Sequence, residues 1–465
     1  MLRLPSTLAS SSSTRSRGCR VASVVLRGGT VIAADGRLRA DVRIEDEQIA
    51  ELAPDLGGSN ADEIDARGLF IFPGSIDVHL HFNEPGRTGW EGGATGSRAL
   101  AAGGGTMFFD MPLNSRPCTV NAGEVDRKRA ALEESSIADF ALWGGLVPGS
   151  IGDMAGMAER GVVGFKAFMC DSGLPEFPRA DDATLRDGMT EAARLGLPIA
   201  VHAESEEMIR KLSETNTGTN VSDFLASHPV MAEVEAIGRA VQLAEETGAK
   251  LHIVHVSSGS GVLKAHEGRL RGVDVSIETC PHYLFFTEDD LHRLDVVGKC
   301  APPLRDAEEH GKLWQQLLNG GIDIVASDHS PCDPSLKKSR DFKGSWGGIA
   351  GVQSTLAVLL ERGHDGRRLR FERIATLLAG TPAQRFGIPK KGSVAVGNDA
   401  DLVLVDPSAD YTLEAEHLHQ RHKISPYLRA MFGGVVRRTI RRGETIFVDG
   451  KITAVTKGRY VRPSY

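Results

Sequence analysis

The stretch FPGSIDVHLHF, Phe72 to Phe82, ends an apolar run with two histidines one residue apart. In a β-strand, residues i and i+2 face one side, so His79 and His81 point into a shared space. Two imidazoles aimed the same way suit a metal ion.

Outward from this strand, β-rich apolar segments alternate with helical patterns as far as Pro331. Seven more strands are expected: GTMFFDM ending at Met111, ADFALWGGL at Leu146, VVGFKAFM at Met169, PIAVHAE at Glu204, KLHIVHVSS at Ser258, VSIETCPHYL at Leu284 and IDIVASDHS at Ser330. Amphipathic stretches lie between most of them. MAEVEAIGRAVQLAEETG, from Met231, has apolar residues at helical spacing and a closing glycine. Eight strands, each followed by a connection, predict an α/β protein built on a (β/α)8 TIM barrel.

The flanks follow a different pattern. Ser23 to Leu52 alternates apolar and polar residues around Gly and Asp-Gly turns, as antiparallel hairpins do. The pattern returns in GSVAVGNDADLVLVDP from Gly392 and VVRRTIRRGETIFVDGKI from Val435. A small β-sandwich formed from both chain ends is therefore expected, with the barrel inserted in it. The boundaries are an extension over 1–22, an N-terminal sandwich segment over 23–72, the barrel over 73–391, and a C-terminal sandwich segment with the tail over 392–465.

With 465 residues the chain has length for one large barrel and an accessory domain. A net charge of −7 and a pI near 6.1 argue against a general nucleic-acid or anionic-membrane partner, which would reward a basic face. A small-molecule substrate is expected instead. Six scattered cysteines (Cys19, Cys118, Cys170, Cys280, Cys300 and Cys332) form no C-x-x-C pair, which points to free thiols in a reducing, cytoplasmic setting. The Ser- and Arg-rich opening, which has no acidic residue, is taken as a disordered extension; its composition also matches an organelle transit peptide.

Chemistry in such a barrel comes from the C-terminal strand ends. There the sequence places His79 and His81, Lys166, His202, His255 and Asp328. Four histidines and an aspartate are too many for one tetrahedral ion with an open position, and they divide naturally between two divalent ions. A lysine would repel both ions. Lys166 therefore either points elsewhere or has become a carbamate by adding carbon dioxide, which also answers the cost of burying a charge in GFKAFM. His252, three residues before His255, is expected on the opposite strand face with no role. His282 and His329 are given supporting duty; His228, His266, His292, His310 and His364 are taken as solvated. Cys170 and Cys332 lie near the mouth without a ligand pattern.

These motifs, H-x-H, the strand-four lysine, VHAE, HVSS and SDHSP in this order, resemble the cyclic amidohydrolases, the group of dihydroorotase, hydantoinase and allantoinase. The resemblance runs from about Ser23 past Val448. EPGRTGWEGG, DMPLNS, KCAPPLRD and WGGIAGVQS are most similar to the allantoinase family. It implies two divalent ions, usually zinc, with His79 and His81 on one, His202 and His255 on the other, carbamylated Lys166 bridging, and Asp328 both completing the first shell and serving as catalytic acid–base. It also implies ring-amide hydrolysis of allantoin to allantoate by a metal-activated hydroxide, in a homotetramer.

Dihydroorotase carries an arginine where this chain has Asn83, and a neutral amide suits an uncharged ureide better than an anion. Asn114 and the backbone at Ala301, Gly347 and Gly348 are the other expected substrate contacts, the glycines because they let a ligand approach the main chain.

Overall fold

The structure, a computed structural model, describes residues 23–57, 61–337 and 341–464. The expected extension over 1–22, with Cys19, lies outside the described residues. The eight barrel strands are Ser75–Leu80, Gly105–Asp110, Asp139–Leu142 continued by Gly144–Gly145, Phe165–Phe168, Ile199–His202, Leu251–Ile253, Val275–Thr279 and Ile324–Val325. Neighbours pair in parallel, as in Phe165 with Ile199 and Val201 with Ile253. The third strand breaks at Trp143, pairing with the second before the break and the fourth after it.

The first and eighth strands close the ring. The His81 amide donates to the His329 carbonyl at 2.8 Å, and buried Asp77 accepts the Ser327 amide at 3.2 Å. Val78, Met107, Phe109, Trp143, Ala200 and Ile324, from five strands of the ring, form one apolar cluster in its centre. Phe386 packs edge-on against Phe109 and Trp143 in that cluster. A larger cluster lies between the strands and the surrounding helices. The longest of these, Val230–Thr247, ends on Gly248 in the left-handed conformation at φ 69°. Among the described residues no helix is long and apolar enough to cross a membrane.

One expected strand turns into helix before its end. VSIETCPHYL stops being a strand at Thr279, and Pro281 opens a one-turn helix to Phe285. Proline lacks the amide a sheet needs but fits the first helical turn.

Nine strands from both chain ends form one hydrogen-bonded sheet around their own core of Leu26, Val31, Val42, Ile71, Leu402 and Ile440. Phe70–Pro73 is the join: it pairs with Val24–Ala33 and with Leu402–Thr412, and the next residues enter the barrel. Gly74 sits at that turn because a Cβ there would lie 2.4 Å from the Thr106 side chain. The tail does not stay with the sheet. It returns to the third barrel strand, where the Phe140 amide donates to Arg459 and the Val461 amide donates to Phe140.

A buried ion cluster ties the sheet to the barrel. Lys391 Nζ lies 2.6 Å from Asp401, 2.9 Å from Asp139 and 3.0 Å from Asp399, and Arg442 also reaches Asp139. Each charge is costly alone at such depth, so the set is stable only when complete.

Candidate active site

At the mouth of the barrel the strand ends bring together two groups of donors. His79 Nε2 and His81 Nε2 lie 3.3 and 3.4 Å from Asp328 Oδ1. On the other side, His202 Nδ1 faces His255 Nε2 at 3.0 Å. His79 links the two groups, its ring centroid 5.3 Å from that of His255. The four histidines are all buried. Asp328 and His255 reach inward through left-handed backbone, at φ 43° and 40°. Such strain persists only where surrounding bonds enforce it.

Lys166 stands among these groups. It is 1% exposed, and its Nζ has no hydrogen-bond partner among the described residues. Its charge is felt by His79, His202 and His255, lowering the pKa of each. Burial in turn pulls the Lys166 ammonium down to about 8, against the attraction of Asp328 and Glu278. Burial likewise pushes His79, His202 and His255 toward the neutral imidazole, the form a metal takes. For Asp328, burial raises the pKa but His79 and His81 outweigh it and bring the carboxyl down to about 2. Neutral imidazoles and an ionised carboxylate form a donor set for divalent metal.

Two glutamates that sequence reasoning left without a role hold the histidines in place. Glu278 Oε1 accepts His79 Nδ1–H at 2.7 Å and the His255 amide at 3.1 Å, and its Oε2 accepts His252 Nε2–H at 3.1 Å. Burial alone would raise this carboxyl, yet the two rings hold it well below the usual carboxylate range. An ionised carboxylate only accepts, so both rings donate to it, and His79 Nε2 is left free to bind metal. Glu204 does the same for His202, whose Nε2 is 2.8 Å from Oε2.

His252 corrects the face assignment. It lies in the barrel centre, stacked on Trp143 at 6.2 Å and bonded to Ser276 as well as Glu278. Alternation fails because the strand ends at Ile253 and His255 turns inward only through its unusual backbone. The signal for Glu278 was present in VSIETC, a lone carboxylate in an apolar strand, the same oddity that marks Lys166.

Both donor groups open into a cavity of about 550 Å³. Asn114, Ala301, Gly347 and Gly348 are among its lining residues, and Asn83 is not. The first strand ends at Leu80, and Asn83, at φ 63°, turns its amide onto the Pro331 carbonyl at 3.2 Å. The two glycines differ. A Cβ on Gly348 would lie 2.3 Å from the Ser330 carbonyl oxygen, so the chain's own packing requires it, whereas at Gly347 the nearest atom is a Lys299 side-chain carbon at 3.8 Å. His228, expected in solvent, lines the cavity and bonds Ser227 and the Phe224 carbonyl. His329 is structural, its Nδ1 accepting from the Gly351 amide at 3.1 Å. Cys170 also lines the cavity, beside His202 and Glu204.

Comparison with known proteins agrees with this geometry. The sequence profile of the amidohydrolase family matches residues 70–446. A curated allantoinase of Solibacter usitatus is 62% identical, the alignment covering 94% of this chain and 96% of that one. One of Rubrobacter xylanophilus is 53% identical, over 95% and 97%. Among solved structures, an L-hydantoinase (dihydropyrimidinase) from Arthrobacter aurescens superposes with a TM-score of 0.92 at 33% identity, over 94% of this chain and 99% of that one. A match over most of the chain, with candidate metal-binding side chains at the barrel mouth, leads to one assignment: the chain belongs to the amidohydrolase family.

Proposed function

We propose that this chain hydrolyses the ring amide of allantoin to give allantoate, in purine-nitrogen breakdown, with two zinc ions bridged by carbamylated Lys166. The observation that carries the chemistry is the Lys166 amine, buried and without a hydrogen-bond partner beside two donor groups. Burial favours its neutral form, whose lone pair adds to carbon dioxide. The Nζ–C bond forms, a proton leaves Nζ, and the product is an anion where an ammonium would repel cations.

His79, His81 and Asp328 would hold one ion, His202 and His255 the other, with the Lys166 carbamate shared. When bound, such a pair supplies a nucleophilic oxygen at neutral pH and polarises a carbonyl. Asp328, ionised near neutrality, accepts the proton of the attacking oxygen and delivers it to the ring nitrogen as the amide bond breaks. Asn114, the Ala301 backbone and the open side of Gly347 orient the ureide. Asn83 serves instead by holding Pro331, and no guanidinium stands at its position to grip a substrate carboxylate.

Substrate choice is supported by the relatives named allantoinase at 62% and 53% identity, against 33% for the L-hydantoinase. A turnover panel of allantoin, substituted hydantoins, dihydrouracil and dihydroorotate tests it. Allantoin should give the highest kcat/KM. A higher value for dihydrouracil or an apolar hydantoin would replace this reading with a hydantoinase, and protein that binds no added divalent metal and is inert to the whole panel would replace it with a non-catalytic relative.

Asp328→Asn removes the proton acceptor and keeps the shape. Turnover should fall by about 10²–10⁴-fold, the usual worth of positioned acid–base catalysis, while at least one ion is retained. Near-normal turnover with bound metal would take Asp328 out of its role. Glu278→Gln tests the support behind His79. Metal affinity, measured by competition with a chelator, should drop by about 10–100-fold as for other groups behind a ligand, with the circular dichroism unchanged. Undiminished affinity would show that Glu278 does not position the ligand.

A further inference from the structure

The cavity wall carries a second group of donors that shares His202 with the proposed reaction but adds Cys170 and Glu204, which hold no ion in it. Cys170, just past the end of the fourth strand, and His202 and Glu204, at the end of the fifth, each present one ligand atom, and the three atoms lie within 4.8 Å of one another. All three residues are buried and all three line the cavity, so an ion can reach them by the route the substrate takes. Glu204 uses Oε2 on His202, but its Oε1 is buried and has no partner among the described residues. A carboxylate oxygen left bare at this depth is costly and stands ready for a cation.

The donor chemistry differs from that of the reacting centre. The ligands proposed there are nitrogen and oxygen; this trio adds sulfur. Sulfur with imidazole and carboxylate selects thiophilic ions such as cadmium or excess zinc over magnesium or calcium. We propose that Cys170, His202 and Glu204 form an inhibitory site for a thiophilic divalent cation. This rests on the reading that His202 Nδ1 serves a resident ion.

On binding, the cation forms one bond each to sulfur, to His202 Nε2 and to a Glu204 oxygen, and the thiol and Nε2 protons leave to solvent. His202 then joins two cations through its two ring nitrogens. Three protein ligands leave a position open to the cavity, as in other incomplete zinc shells. The extra ion stands on the wall of the substrate cavity and draws His202 toward Glu204 and Cys170. Activity should therefore rise as resident sites fill and fall when a thiophilic ion is in excess, with no fall for magnesium.

The test uses the metal-loaded enzyme titrated with cadmium chloride. Three quantities are followed: the ultraviolet thiolate-to-cadmium charge-transfer band, cadmium bound per chain after dialysis, and allantoin turnover. The band should saturate at one sulfur-bound cadmium per chain, and turnover should fall at least tenfold in step with it. In Cys170→Ser the band should be lost, and turnover should hold at that variant's own cadmium-free rate; Cys332→Ser should behave like wild type. Should Cys170→Ser not fold, cadmium magnetic resonance of the wild-type protein decides, because the shift distinguishes one-sulfur coordination from purely nitrogen and oxygen coordination. No band in wild type, an undiminished band in Cys170→Ser, or equal inhibition in both proteins would overturn the proposal. If allantoin is not a substrate, the reading of function falls, but the band and the stoichiometry still decide this site.

Discussion

The carboxylate of Glu278 is the constraint on which the site's geometry depends. It is one buried charge with three donors: the rings of His79 and His252 and the amide of His255. The bond to His79 fixes a tautomer and leaves Nε2 free toward Asp328. The bond to the His255 amide enforces a left-handed residue that would otherwise relax, and so aims the second group of donors. His252, the reverse of an idle neighbour, holds the far oxygen from the barrel centre. Because Glu278 projects from a strand paired on both sides, its position is as rigid as the barrel itself.

That rigidity has its own foundation at the seam between barrel and sheet. Asp139 opens the third barrel strand, and its carboxylate meets Lys391 and Arg442 from the chain that builds the sheet. The tail then lies along the same strand. The C-terminal part of the chain thus clamps the barrel away from its mouth, leaving the strand ends to be shaped by local bonds and by chemistry.

Much of this was legible in the sequence, for a physical reason. Barrel strands are short apolar runs, and a charged or imidazole side chain at the end of one has no role in packing, so His79, His81, Lys166, His202, His255 and Asp328 stand out against their surroundings. What stayed hidden depends on backbone that leaves strand geometry. Asn83 lies past the end of its strand, and its positive φ turns it away from the cavity. His252 and His255 share a barrel interior because the strand stops between them. The C-terminal end of VSIETCPHYL is helical because proline begins it. Cys170 and Glu204 become neighbours only across two strands, a pairing that no spacing within either segment reveals.

The account turns on a lysine that must not remain an ammonium. Metal-loaded protein equilibrated with isotope-labelled carbon dioxide and examined by carbon magnetic resonance tests this most directly. One carbamate signal per chain, present with two bound divalent ions and missing from Lys166→Ala, is the result the account predicts. Two bound ions with no carbamate signal, or a signal that survives in Lys166→Ala, would contradict it.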